Sequence, residues 1–210
     1  MNESVETGEA TTQNITSDEN VTLAKLISSL FHPFLVGPLA FLHFSLAYTD
    51  ELWFGWVVWG ITFIATNLVI GTFVFLMKRR GLTTSVDVPE RMLRRKPFII
   101  GTIGYVIATI ILYAIGAPRI VWALMAIYAV NTAIATFISH WWKISIHGMS
   151  IGGTLVPFLY LYGGLWWFGL LVFPAMIYSR VKLKAHSVGQ AVAGITLAFI
   201  LTWIELALWL

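Results

Sequence analysis

Lys143-Ile144-Ser145-Ile146-His147-Gly148-Met149-Ser150 opens the stretch that decides how this chain folds, and Ser179-Arg180-Val181-Lys182-Leu183-Lys184-Ala185-His186-Ser187-Val188-Gly189-Gln190 closes it. Between these two polar islands the chain is apolar enough to enter and leave a bilayer. One helix from Gly148 to Tyr178 would measure roughly 46 Å at 1.5 Å per residue, far more than a hydrocarbon layer of about 30 Å. Gly163-Gly164 is the natural break. Splitting there gives two short helices of about fifteen to eighteen residues, which return both islands to one membrane face.

Composition makes a membrane the fitting solvent. Of 210 residues, 58% are hydrophobic and 11% charged, against about 25% charged in soluble domains. No segment alternates as a membrane barrel strand must. The expected fold is therefore all-α, a polytopic integral membrane bundle of six to seven transmembrane helices. Residues 1–22 read as a disordered polar tail with no basic segment ahead of the first apolar run, and 23–210 as the helical domain. Because the chain has no cysteine, disulfides and thiolate chemistry are excluded.

Outward from the opening stretch, the first apolar run is Leu23 to Tyr48, where His32-Pro33 and Gly37-Pro38 are expected to kink or unwind the helix. The second runs from Leu52 to Met77 and the third from Phe98 to Ile115. After the turn Gly116-Ala117-Pro118-Arg119, the fourth runs from Ile120 to about Trp142, and the last from Val188 to Leu210. Between the second and third lies a polar loop, Lys78 to Lys96, with seven Lys or Arg against Asp87 and Glu90. Following this alternation, twelve of the thirteen Lys and Arg share one face, Arg119 being the exception. The positive-inside rule makes that face cytoplasmic in a multi-pass protein of the cell membrane.

Polar residues inside such a chain carry the functional information. Lys78, Arg79 and Arg80 read as a positive-inside anchor, and His140 as an interfacial residue. His32 is a candidate pocket residue near the basic face. Asn67 and Asn131 are expected to bridge helices. No acidic metal motif, histidine metal pair or glycine-rich phosphate loop is present, so no metal or cofactor is expected, and nothing points to nucleic acid.

Ser179-Arg180, five residues, then His186, preceded by Ser145-x-His147, resembles the signature of the type 2 phosphatidic acid phosphatase superfamily, the lipid phosphate phosphatases related to vanadium haloperoxidases. That family carries K-x6-R-P, then P-S-G-H, then S-R-x5-H-x3-D. In this chain the third block ends in Gln190 rather than Asp, and Ile144 and Ile146 replace Pro and Gly in the second. Lys96-Pro97 stands where Arg-Pro belongs, with Arg91, Arg94 and Arg95 supplying charge in a different register. The likeness covers about Arg91 to Gly194.

The resemblance implies a divergent, metal-independent phosphatase or phosphotransferase acting on a lipid phosphate or isoprenoid (di)phosphate. His186 would be the nucleophile that forms a phosphohistidine, and His147 would protonate the leaving alcohol. Arg180 would bind phosphate oxygens with its planar fork, assisted by Arg91, Arg95, Lys96, Ser145 and Ser179. Backbone amides around His147 to Ser150 would favour an anion at the start of the fifth helix. Gln190, four residues past His186 on a helix, would reach its imidazole and orient it, without the charge an Asp supplies. The alternative is a non-catalytic relative that binds anionic lipid or a membrane partner through the same cations.

Overall fold

The computed structural model describes residues 19–83, 88 and 92–210. Among them every regular element is helical. Helix α1 (residues 19–30) is followed by α2 (Pro33–Ala47) and α3 (Leu52–Phe63), which passes through a π-helical turn (Ile64–Leu68) into α4 (Val69–Arg79). Next come α5 (Arg95–Ala114), α6 (Arg119–Ile138) and α7 (Ile146–Tyr162). A 3₁₀ segment (Gly164–Leu171) then continues as α8 (Val172–Lys182), and α9 (Val188–Trp209) closes the chain.

Six of the helical segments are long and apolar enough to cross a membrane: Glu19–Ala47, Leu52–Arg79, Arg95–Ala114, Arg119–Ile138, Gly164–Lys182 and Val188–Trp209. The protein is a multi-pass, all-α membrane bundle. The seventh helix, α7, has 17 residues and so measures about 26 Å. The chain breaks at Gly163-Gly164, where both glycines have positive φ. Beyond the break, the 3₁₀ winding rises about 2.0 Å per residue, so Gly164–Lys182 reaches about 32 Å with few residues.

Three expectations change. The polar tail does not extend to residue 22, since residues 19–22 are already helical and Tyr178 Oη donates to the Asn20 carbonyl at 3.4 Å. The rest of the tail lies outside the described residues. The fourth helix stops at Ile138 rather than Trp142.

The third change is at Pro38, which sits buried inside α2 without breaking it, whereas His32-Pro33 does separate α1 from α2. A proline has no N–H for the carbonyl four residues earlier. That carbonyl belongs to Phe34, and Asn67 Nδ2 donates to it at 2.8 Å from the π-helical turn. The helix survives because a neighbouring helix supplies the missing donor. Asn131 also bridges helices, donating to Thr202 Oγ1 of α9 at 3.1 Å.

The seam that positions the site is α7 against α9. Without a hydrophobic drive between helices in lipid, close approach depends on small residues. A Cβ on Gly148 would lie 2.9 Å from the Ala191 carbonyl oxygen, and one on Gly194 would lie 2.5 Å from that of Ser145. At Gly152 it would overlap the Ile195 carbonyl outright. Backbone therefore lies on backbone along α7 and α9, and their N-terminal ends are held side by side.

Candidate active site

Both polar islands meet at the heads of α7 and α9. Ser145 caps α7, its Oγ accepting from Gly148 N–H at 3.2 Å, while its own N–H donates to the Gln190 carbonyl at 3.3 Å. Lys143 Nζ donates to the Ala185 carbonyl at 2.9 Å, tying the chain before α7 to the α8–α9 turn.

The spacing of Arg180 and His186 has a local cause. Helix α8 ends in a left-handed cap in which Ala185 N–H donates to the Arg180 carbonyl at 3.0 Å and Lys184 N–H to that of Val181 at 2.9 Å. His186 N–H reaches the Arg180 carbonyl too, at 3.2 Å. The reversal brings the histidine back over the arginine six positions earlier. It needs a left-handed residue, and Lys184 takes φ +53° there, whereas the same closures after α4 and α5 use Gly81 and Gly116.

Gln190 does two jobs. Ser187 Oγ accepts from Gln190 N–H at 3.3 Å and Gln190 Oε1 accepts from Ser187 N–H at 3.2 Å, a reciprocal capping box at the start of α9. The same Oε1 lies 3.2 Å from His186 Nδ1. Because a backbone N–H already points at this atom, it is an acceptor, and Nδ1 must carry the imidazole proton. The lone pair is then on Nε2. An aspartate is one carbon shorter and fits this box poorly, which gives the length of Gln190, though not its amide, a structural reason.

His32, Arg94, His147, Arg180 and His186 line a cavity of about 150 Å³, a volume that takes one benzene-sized guest. Its other walls are largely apolar, among them Ile70, Val74 and Phe98, and also carry Tyr105 and Thr132. Arg94, His147, Arg180 and His186 are all more than nine-tenths buried. Burial and then the Arg94 guanidinium push the His186 pKa down to about 4, against a smaller upward pull from the Gln190 hydrogen bond; Lys143 and Arg180 lower it further. The ring is neutral at pH 7, as a nucleophile must be.

Of the residues expected at a phosphate, His147, Arg180 and His186 share the cavity, with Gln190 on the far side of the His186 ring. Ser145 and Ser179 do not line it. The first caps α7, and the second donates to the Ala24 carbonyl of α1 at 2.6 Å. Lys96 is exposed and Arg95 half-buried on the first turn of α5, and neither lines the cavity. Arg94, the residue just before that helix, takes their place and is fixed by its Nε donating to the Val88 carbonyl. Arg91 lies outside the described residues. The start of α7 offers fewer amides than expected, because Gly148 and Met149 N–H both bond to Ser145.

The sequence signals passed over are Ser187-x-x-Gln190, which spells the capping box, and Ser28 with His32, one helical turn apart. Comparison with protein-family models, with characterised proteins and with solved structures returned no match.

Proposed function

We propose that this protein is a membrane phosphatase or phosphotransferase acting on a lipid or isoprenoid phosphate, a divergent relative of the type 2 phosphatidic acid phosphatases. The observation that carries the reading is the convergence of the buried His186, His147 and Arg180, with Arg94, on one cavity whose remaining walls are largely apolar. Charge on the equatorial oxygens of a transferring phosphoryl group is stabilised by fixed cations, and two buried guanidiniums supply them. The apolar walls suit a substrate whose chain stays in the bilayer.

In the first step the His186 Nε2 lone pair forms an N–P bond as the P–O bond to the alcohol breaks. His147 gives its proton to the leaving oxygen. In the second step water attacks phosphorus, loses a proton to His147, and the N–P bond breaks with its electron pair returning to Nε2. Gln190 Oε1 holds the Nδ1 proton throughout. The site lies at the basic face, which is cytoplasmic by the positive-inside rule.

Purified protein in detergent is expected to release phosphate from a lipid phosphate without added Mg²⁺, and His186→Ala to stop it. Unchanged turnover in that variant removes the proposed nucleophile. A second reading, a binding protein for anionic lipid, is favoured by one observation: the length of Gln190 is accounted for by the capping box alone. Gln190→Glu separates the two, because glutamate keeps the reach of the box and adds the missing charge. A gain in turnover supports the enzyme. Salt-sensitive binding to anionic vesicles with no hydrolysis in either form supports the binder. For sidedness, Lys96→Cys should react with an impermeant reagent only after permeabilisation, and Asp50→Cys on intact cells.

A further inference from the structure

The three sequence blocks leave out the N-terminal segment, yet it touches the two groups on which the proposed chemistry depends. Arg180 Nη1 donates to Ser28 Oγ at 2.6 Å, and Ser179 Oγ donates to the Ala24 carbonyl one turn earlier. Tyr178 Oη lies 3.4 Å from the Asn20 side-chain oxygen. Asn20, Ala24 and Ser28, spread over about 12 Å of α1, thus meet three consecutive residues of α8. Helix α1 thus straps the last turns of α8 through three successive contacts.

At the end of the strap the chain turns at His32. Its Nδ1 accepts from Phe34 N–H at 3.1 Å as the cap of α2. In the neutral ring the proton is consequently on Nε2, so the tautomer is set by the helix it caps. The ring stands edge-to-face with that of His147, centroids 4.9 Å apart at 90°, inside the same cavity. An aromatic pair in this geometry restricts rotation of both rings. The charged or titratable groups that share the cavity with His147 are His32 from the head of α2, Arg94 ahead of α5, Tyr105 within α5, Arg180 from α8 and His186 ahead of α9.

We propose that this strap is part of the active site, with Ser28 a positioning residue for the Arg180 guanidinium and His32 a positioning residue for the His147 ring. Ser28 aims the planar fork at phosphate oxygens, and its loss weakens binding of the phosphoryl group. His32 holds the ring that delivers a proton to the leaving oxygen, and its loss slows the chemical step. Turnover arms of the test rest on the phosphatase reading; one arm does not.

The full chain is studied in detergent as Ser28→Ala, Ser28→Thr, His32→Ala and His32→Asn. Asparagine retains an oxygen that caps α2, so His32→Asn keeps the fold and removes only the ring. Its thermal midpoint is expected to stay within about 2 °C of wild type, while kcat falls about tenfold or more and KM holds. Ser28→Ala is expected to raise KM and the Kd for inorganic phosphate about three- to tenfold, the worth of one hydrogen bond, and to lower kcat/KM by at least as much. Ser28→Thr should restore all three.

The independent arm follows the ¹³C-labelled ring signal of His147 by NMR; the chain has five histidines, so assignment by substitution is direct. The signal and its titration should move in His32→Asn. A wild-type kcat with an unmoved His147 signal in that variant, or wild-type phosphate affinity in Ser28→Ala, overturns the proposal. If wild-type protein neither turns over a lipid phosphate nor binds phosphate, the phosphatase reading and the Ser28 role fail together. The His147 signal then still decides whether His32 governs that ring.

Discussion

Gly152 is the position where one methyl group should separate folding from function. A Cβ there overlaps the Ile195 carbonyl, and it would lie 3.1 Å from that residue's Cα as well. Carbon–oxygen contacts across helices close to about 3.3 Å, so α7 and α9 must part by about 1 Å to admit alanine. Two terms oppose each other in the stability of Gly152→Ala. Alanine in a helix gains about 0.5–1 kcal/mol over glycine, and overpacking a tight seam loses about 1–3 kcal/mol. The net is a loss of about 0–2.5 kcal/mol, which leaves the protein folded. Activity is more sensitive. His147 rides on the head of α7 and His186 sits before α9, so the parting changes the distance between the proposed proton donor and the proposed nucleophile. A misplacement of about 1 Å is worth about a hundredfold in rate. Thermal unfolding followed by tryptophan fluorescence, alongside phosphate release, should show a small fall in midpoint and a large fall in kcat. Gly71→Ala is the control, since nothing lies within 4 Å of a Cβ there. Full activity in Gly152→Ala would refute the idea that the seam sets the site.

Three further outcomes follow from the same geometry. With His186 pushed down from 6.5 to about 4, the acid limb of kcat/KM should fall near pH 4. The ring's linkage to stability has the same sign: the unfolded chain binds its proton first, so stability is complete above about pH 6.5 and declines as pH falls toward 4. An acid limb centred near pH 6.5 would contradict the burial. Asn67→Ala leaves the Phe34 carbonyl without its donor and should lower stability by about 1–3 kcal/mol. In a Pro38→Ala background, where the helix supplies its own N–H, most of that loss should vanish, and an additive double variant would contradict the assignment. Lys184→Gly removes the strain of a left-handed lysine and should stabilise by about 1 kcal/mol in thermal unfolding, with the His186 ring signal unmoved.

The helices were legible because membrane solvent leaves few alternatives: apolar runs of set length, the Gly116 turn, and a hairpin forced by where the charges had to emerge. Gln190 beside His186 was expected from i,i+4 spacing on one helix, but His186 lies ahead of α9 and the contact is made through the capping box. Arg94 was hidden among four cations close in sequence, since a shift of one residue in where α5 starts turns a side chain by about 100°. Ser145 and Ser179 looked like phosphate donors by motif, but their hydroxyls serve a helix cap and a neighbouring carbonyl, which composition cannot distinguish. Pro38 read as a point of kinking or unwinding, and the donor that keeps the helix wound there, Asn67, is far away in sequence. The strap formed by α1 is a tertiary contact with α8, and its trace in the sequence is slight: His32 as a pocket candidate, with Ser28 four residues before it.

The short α7 bears on the membrane as well as on the fold. At about 26 Å it undershoots the usual hydrocarbon thickness by about 4 Å. The exposed Leu165, Trp166, Trp167 and Phe168 just beyond it anchor that end at the opposite interface. Of the residues of α7 only Tyr160 and Tyr162 are exposed, so the shortfall is taken up inside the bundle rather than by lipid. For the lipid phosphate proposed above as substrate, a short α7 would set the cavity at its head below the headgroups of the basic face, and bilayer thickness would decide how far a phosphate must descend to reach Arg180.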